Sequence, residues 1–129
     1  MPTGPFTGVH HVQLACPAGS EPQLRQFYGA VLGMTEVAKP PMLAVRGGAW
    51  FRSGGAELQG VVELHLGVEA DFRPARKAHP GLLCADVDAL SARLAAAGIP
   101  VRWDEDFPGY RRCYVDDPVG NRLELLQPR

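Results

Sequence analysis

The sequence predicts an α+β fold made of two β-α-β-β-β modules in one domain. Three observations predict it. A strand-like segment, "HVQLAC" at His11, returns as "HPGLLC" at His79, with Leu and Cys at the same distances from the His. A helical pattern follows each copy, and three short strand-like segments follow each helix. Together they indicate a duplicated supersecondary unit.

The first module, about residues 8–67, begins with the strand-like segment "VHHVQLAC". Ser20 is a candidate N-cap for the helix that follows, Pro22 suits its first turn, and Gly33 ends it. The segments "TEVAK", "AWFR" and "VVELHLG" are predicted strands because Pro and Gly clusters separate them. This order is β, α, β, β, β.

The second module, about residues 79–128, follows a charged and aperiodic connection over residues 68–78. Its first strand is predicted at "HPGLLCAD", and its helix runs from a cap at Asp86 to Gly98. Three further strands are predicted at "IPVRW", "RRCYVDD" and "NRLELLQ", with turn signals "PGY" and "DPVGN" between them. The second module therefore has the same order as the first.

Composition excludes several classes of function. With 13 basic and 14 acidic residues among 129, the chain has no net positive charge to attract nucleic acid or an anionic membrane. No run of 18 apolar residues predicts a membrane span. Cys16, Cys84 and Cys113 lie far apart and are odd in number, which predicts free thiols and a cytoplasmic location.

The repeat pairs two histidines and two glutamates that suit a divalent metal site. His11 corresponds to His79, and the alignment of "VELHLG" with "LELLQP" pairs Glu63 with Glu124. Imidazole nitrogen and carboxylate oxygen are common ligands of divalent metals. We therefore predict that His11, Glu63, His79 and Glu124 are metal ligands.

One ligand position has an alternative. Glu63 and His65 lie on the same face of a strand because side chains alternate, so either one can point at the same centre. The repeat alignment favours Glu63. Which of the two residues faces the centre depends on the strand register, and local sequence does not fix that register. His65 therefore stays open as an alternative to Glu63.

Longer segments of both modules resemble a known superfamily. "HVQLAC" with "LRQFYGAVLGM", and "AHPGLLCADVDALSARLAAAGIPV" with "YVDDPVGNRLELLQP", resemble the vicinal oxygen chelate superfamily. That superfamily includes glyoxalase I, fosfomycin resistance proteins, extradiol dioxygenases and bleomycin resistance proteins. The resemblance implies paired βαβββ modules whose curved mixed sheets form a cleft, with helices on the outside.

The resemblance also implies a ligand set and an assembly. The four residues His11, Glu63, His79 and Glu124 match the ligand positions of glyoxalase-like members, and all but Glu63 match those of fosfomycin-resistance-like members. The implied cofactor is a divalent ion of Ni, Zn, Mn, Co or Fe. The implied partners are a small-molecule substrate and a second copy of the chain, in a homodimer with sites at the interface.

We therefore expect a metal-dependent, glyoxalase-like lyase or isomerase that chelates two substrate oxygens. Glu63 and Glu124 are the candidates to move a proton during catalysis. Two alternatives remain: a protein that binds or sequesters a small molecule such as an antibiotic, and a dioxygenase. The binding alternative would place aromatic side chains in a groove, and the candidates are Trp50, Phe51, Trp103, Phe107 and Tyr110.

Overall fold

The first module contains a four-stranded mixed sheet. The structure, a computed structural model, describes residues 4–54 and 62–129. In the first module the strands are β1 (Val12–Cys16), β2 (Thr35–Val37), β3 (Ala49–Arg52) and β4 (Glu63–Val68), in the spatial order β1-β4-β3-β2. β1 is parallel to β4, and the other pairs are antiparallel. The segment 55–61, between β3 and β4, lies outside the described residues.

The second module repeats this topology. Its strands are β5 (Gly81–Leu83), β6 (Arg102–Asp104), β7 (Tyr110–Asp116) and β8 (Arg122–Pro128), in the order β5-β8-β7-β6. β5 is parallel to β8, as β1 is to β4. The duplicated α+β fold expected from the sequence is confirmed.

The helices differ from the expectation in the first module. Helix α1 (Glu21–Leu24) continues as a π-helix over Arg25–Val31. Ser20 is at the N-cap position, but its hydroxyl donates to the carbonyl of Pro17 instead of capping the helix. A short helix α2 (Pro41–Ala44), which the sequence analysis did not predict, lies between β2 and β3.

In the second module, helix α3 (Val87–Ala96) follows the expectation. The side chain of Asp86 accepts a hydrogen bond from the backbone N–H of Ala89, which is an N-cap. In the described residues no helix is long and apolar enough to cross a membrane.

Both modules contribute to one hydrophobic core. Alternate residues of β8, Leu123 and Leu125, are buried in it, and β4 contributes Leu64 and Leu66 in the same way. This alternation leaves the intervening residues of each strand on the opposite face of the sheet. Glu124 therefore lies on the face away from Leu123 and Leu125.

A buried polar cluster joins the two modules. The Tyr28 hydroxyl donates to Oδ2 of Asp117 over 2.6 Å, and both residues are buried. The Asn121 amide bonds to the same carboxylate and to the backbone carbonyl of Ala15 in β1. The turn between β7 and β8 is thereby fixed against the first module.

Candidate functional site

His79 and Glu124 form a close pair in the second module. β5 and β8 are parallel neighbours, and this brings the chain just before β5 beside Glu124. The Nε2 atom of His79 lies 2.8 Å from Oε1 of Glu124. This N–O separation is that of a hydrogen bond, and it places two groups that commonly bind metals side by side.

The second ring nitrogen of His79 contacts a backbone carbonyl. Nδ1 lies 2.7 Å from the backbone carbonyl of Lys77. Because a carbonyl only accepts hydrogen bonds, Nδ1 carries a hydrogen, and Nε2 of the neutral ring would present a lone pair to the carboxylate of Glu124. The contact therefore requires a proton or another cation between the two atoms.

Glu124 is held as a carboxylate by its surroundings. Burial raises the pKa of its carboxyl, but hydrogen bonds from His79 and Arg112 outweigh this effect, so that the pKa lies below its ordinary value. The Arg112 guanidinium donates to Oε2 over 2.8 Å, and it also binds Asp104. The negative charge of Glu124 is thus retained at neutral pH.

Glu63 of the first module has both carboxylate oxygens engaged. Arg52 donates to Oε1 over 2.9 Å, and Nε2 of His65 donates to Oε2 over 2.7 Å. The hydrogen bond from His65, with that from Arg52, holds the pKa of the Glu63 carboxyl below its ordinary value. Burial lowers the pKa of the His65 ring below its ordinary value, and His11 and His10 add to this effect, although Glu63 opposes it. His65 is therefore a neutral ring near pH 7 with Nδ1 free of a proton.

The His65 ring is the middle member of a stack of three aromatic rings. His65 lies between Trp50 and His11, with ring centroids 3.9 Å apart on both sides. Trp50 is the cross-strand partner of His65 in β3, which explains the first contact. The nitrogen lone pairs of an imidazole lie in the plane of its ring, so two stacked rings do not direct them at one point. His11 and His65 can therefore coordinate the same ion only if the exposed His11 ring rotates.

Strand register shows which residue of the first module corresponds to Glu124. Gly81, two residues after His79, pairs with Glu124, whereas Gln13, two residues after His11, pairs with His65. In three dimensions His65 is therefore the counterpart of Glu124. Glu63 is its counterpart only in the linear alignment.

The described part of one chain does not assemble all the predicted ligands at one point. No group of three or more His, Cys, Asp or Glu side chains in it is arranged to hold a metal ion. The predicted ligands instead form two sets, His79 with Glu124 and His11 with His65 and Glu63. Both sets lie at the start of the parallel strand pair of their module.

A cavity of about 470 Å³ opens beside His11 and His65. It is lined by Trp50 and by cationic residues of the β2–β3 connection, Lys39 and Arg46. We call it the His11 cavity. A second cavity, of about 590 Å³, is lined by His79 and by residues of β1.

Comparison with known proteins identifies the family. The model of the Glyoxalase/Bleomycin resistance protein/Dioxygenase superfamily matches residues 8–125. The chain belongs to this superfamily. A search of curated proteins finds no significant match.

Several solved structures share the fold of this chain. The chain is 40% identical to a glyoxalase family protein from Bacillus anthracis, with a TM-score of 0.90 over 99% of this chain and 100% of that one. It is 26% identical to TnmS3, an antibiotic binding protein from Streptomyces sp. CB03234, with a TM-score of 0.69 over 96% and 100% of the two chains. The fosfomycin resistance protein FosX from Listeria monocytogenes, at 15% identity and a TM-score of 0.71 over 96% and 95%, shares the fold alone.

Two arginines of the site were not assigned to it from sequence. Arg52 has no local signal of its own, but its place opposite Glu63 follows from the pairing of β3 with β4. Arg111 and Arg112 are neighbours in β7 and point to opposite faces of the sheet, because Arg112 binds Glu124 while Arg111 binds Asp88. The signal in both cases is strand alternation combined with the register of a neighbouring strand.

The aromatic residues expected in a groove do not line one surface. Phe51 is buried in the core, where it stacks on Tyr28. Trp103 lies under the guanidinium of Arg111. Of the five candidates, Trp50 alone is among the described residues that line the His11 cavity.

Proposed function

We propose that this superfamily member is a metal-dependent enzyme of lyase or isomerase type that acts on a small molecule. The observation that carries the proposal is the contact between Nε2 of His79 and Oε1 of Glu124. The outer nitrogen of His79 is bonded to a backbone carbonyl, as is usual for histidines that ligate metals. This donor set suits a divalent ion such as Ni, Zn, Mn, Co or Fe.

The ligands in this proposal are His79, Glu124, His11 and His65. His65 is chosen over Glu63 because the strand register makes it the counterpart of Glu124. Glu63 accepts a hydrogen bond from Nε2 of His65 and so leaves Nδ1 of that ring available. In this arrangement Glu63 orients the ligand His65, as outer carboxylates commonly do.

A divalent metal at this site would supply Lewis acidity toward two neighbouring oxygens of the substrate. The chain's own residues prepare the rest. Arg112 keeps Glu124 anionic and Arg52 binds Glu63 in the same way, so these two carboxylates are the candidates to accept a substrate proton. The Trp50 ring covers one face of His65 and excludes water from it.

The proposed assembly is a homodimer in which the first module of one copy meets the second module of the other. Two features support it. The two sets of candidate ligands do not converge in the described part of one chain. Large apolar side chains of both modules are exposed to solvent, including Val9 and Met42 in the first module and Leu83 and Phe107 in the second.

Metal binding tests the proposal directly. Protein without a His tag is treated with chelator and titrated with Ni²⁺, Co²⁺, Mn²⁺ and Zn²⁺ in a calorimeter, and Co²⁺ binding is also followed by visible absorption. We expect one ion per chain, with binding lost in His79→Ala and Glu124→Gln and retained in the control Glu105→Gln, which changes an exposed glutamate. Absence of binding by the wild-type protein for all four ions would refute the metal site.

Mixing two inactive variants tests the shared site. His11→Ala and His79→Ala each remove a ligand from every site. If sites form between copies, random re-association restores about one quarter of them, because each mixed dimer has one site with both histidines. If sites form within one chain, mixing restores none. Co²⁺ absorption before and after re-association gives the count.

A binding protein without metal is the second candidate. It is favoured by the arginines, since Arg52 and Arg112 already neutralise the two buried carboxylates Glu63 and Glu124. The 26% identity to an antibiotic binding protein points the same way. Binding of an aromatic ligand that persists in chelator and in His79→Ala would support this candidate over the first.

Turnover assays distinguish the reactions open to the enzyme. The substrates are methylglyoxal hemithioacetal, fosfomycin with a nucleophile, and catechol with oxygen. The last of them tests the dioxygenase alternative. A cysteine nucleophile is not proposed, because burial raises the pKa of the Cys113 thiol to about 11 and also raises the pKa values of Cys16 and Cys84. The free thiols suit the cytoplasmic location proposed for the protein.

A further inference from the structure

We propose that the His11 cavity selects small molecules that carry a negative charge, which Arg46 and Lys39 bind. This inference rests on the proposed function, because it concerns the substrate of the same site. It identifies the substrate class as a compact anion, such as a carboxylate, with an apolar body.

The charge of the cavity lining carries the argument. Its described residues include the permanent cations Lys39 and Arg46 and the three imidazoles His10, His11 and His65, and none of these lining residues is an Asp or Glu. Two carboxylates adjoin the lining: Glu63, which is bonded to His65 and neutralised by Arg52, and Glu21, which accepts from the Gly48 N–H and interacts with Lys39. A concave surface with cations and no anions attracts a negative ligand.

The backbone that carries Arg46 is fixed in place. The Lys39 ammonium donates to the carbonyl of Gly47, and the N–H of Gly48 donates to Oε2 of Glu21 over 2.8 Å. Gly48 also lies so close to Leu66 that a Cβ atom on it would be 2.0 Å from the Leu66 carbonyl oxygen. Arg46 is therefore presented by an anchored connection, so little ordering of the backbone opposes binding.

The remaining walls set the shape of the ligand. Trp50 and Leu43 provide apolar surface, while the cavity volume of about 470 Å³ suits a molecule of the size of a substituted benzene ring. Gln13 adds a side-chain amide at the edge nearest β1. An anionic group at one end and an apolar body at the other match this lining.

Calorimetric titration with three probes tests the inference. The probes are 3,4-dihydroxybenzoate, its neutral methyl ester, and benzoate, which keeps the charge without the vicinal oxygens. We expect the acid to bind at least about tenfold more tightly than its ester at low ionic strength, as for a charge-assisted hydrogen bond. The preference should shrink with added salt. Equal affinity for acid and ester, or no binding of the acid at its highest soluble concentration, would overturn the inference.

Matched variants assign the effect to the cavity. Arg46→Gln should reduce the preference for acid over ester at least about fivefold, with ester affinity within about twofold of the wild-type value. Arg93→Gln removes the same charge from the exposed surface of α3 and should leave the preference unchanged. If both variants behave alike, Arg46 does not hold the anion and the inference fails.

Titrations with and without metal distinguish the failure of this inference from the failure of the proposed metal-dependent enzyme. Each titration is repeated with chelator-treated and Co²⁺-loaded protein. A preference for the acid that survives in protein unable to bind any metal supports this inference while contradicting the proposed enzyme. Metal-dependent binding of acid and ester with equal affinity supports the enzyme and contradicts the anionic substrate.

Discussion

Replacing Tyr28 by Phe is expected to weaken the contact between the two modules. The hydroxyl donates to Asp117 over 2.6 Å, and the residues are 0% and 4% exposed, so water does not replace the lost donor. A hydrogen bond to a charged group contributes about 1.5–3 kcal/mol, and we expect a loss of about 2 kcal/mol in the free energy of unfolding. The unfolding entropy of a 129-residue protein is about 0.27 kcal/mol/K, and dividing the lost free energy by it gives a melting temperature lower by about 7 °C.

Equilibrium unfolding in urea measures the effect. Trp50 and Trp103 report on one module each, so their combined fluorescence also shows whether the modules unfold together. The protein concentration is kept constant because dimerisation would shift the apparent stability. Tyr110→Phe, on the partly exposed β7, is the matched control. A loss below about 0.5 kcal/mol in Tyr28→Phe would refute the reasoning.

The same contact has a signature at alkaline pH. Burial raises the pKa of the Tyr28 hydroxyl well above its ordinary value of 10.0, and the charge of Asp117 adds to this effect. The unfolded chain releases this proton as the pH passes 10.0 while the folded chain retains it, so stability falls above that pH. In Tyr28→Phe the contribution is absent, and the alkaline loss of stability should be shallower.

Three further outcomes are expected. Gly48→Ala should destabilise the protein by more than about 2 kcal/mol in thermal unfolding, because the added Cβ would meet the Leu66 carbonyl and Gly48 has a φ of +83°. Gly98 has a similar φ of +79°, but a Cβ added there would meet nothing within 4 Å, so Gly98→Ala should lose about 1 kcal/mol. The hydrogen bond from the Gly48 N–H lowers the pKa of the Glu21 carboxyl below its ordinary 4.5, so the stability of the wild-type protein should fall as the pH drops below 4.5. A shallower fall in Glu21→Gln, measured by urea unfolding, would confirm this hydrogen bond. Leu64→Ala should lose about 2–5 kcal/mol in urea unfolding, because Leu64 is fully buried, and a smaller loss would contradict its place in the core.

The arrangement of charges in the two sheets bears on how the fold could serve either a metal enzyme or a binding protein. In each module a glutamate is buried beside a histidine and an arginine, Glu63 with Arg52 and Glu124 with Arg112. Without such partners a buried carboxylate would be costly. The arginines therefore allow the sheets to form before any ligand or metal is bound.

The sequence by itself determined the duplicated order of strands and helices. The His, Leu and Cys spacing of the two first strands, the cap at Asp86 and the turn signals are local, and local patterns decide which segments become strands or helices. The same patterns placed His79 and Glu124 in one site, and the structure has their side chains 2.8 Å apart. The alternation of side chains along β8 also determines which face of the sheet Glu124 occupies.

Only the tertiary structure decided which residue of β4 corresponds to Glu124. A shift of register by one or two residues changes strand partners without changing the local pattern, so alignment favoured Glu63 while pairing with β1 selects His65. The bond between Tyr28 and Asp117, 89 residues apart, likewise follows from packing of the modules and has no local signal. Local patterns fix the faces of strands, whereas the contacts between strands and modules depend on the folded chain as a whole.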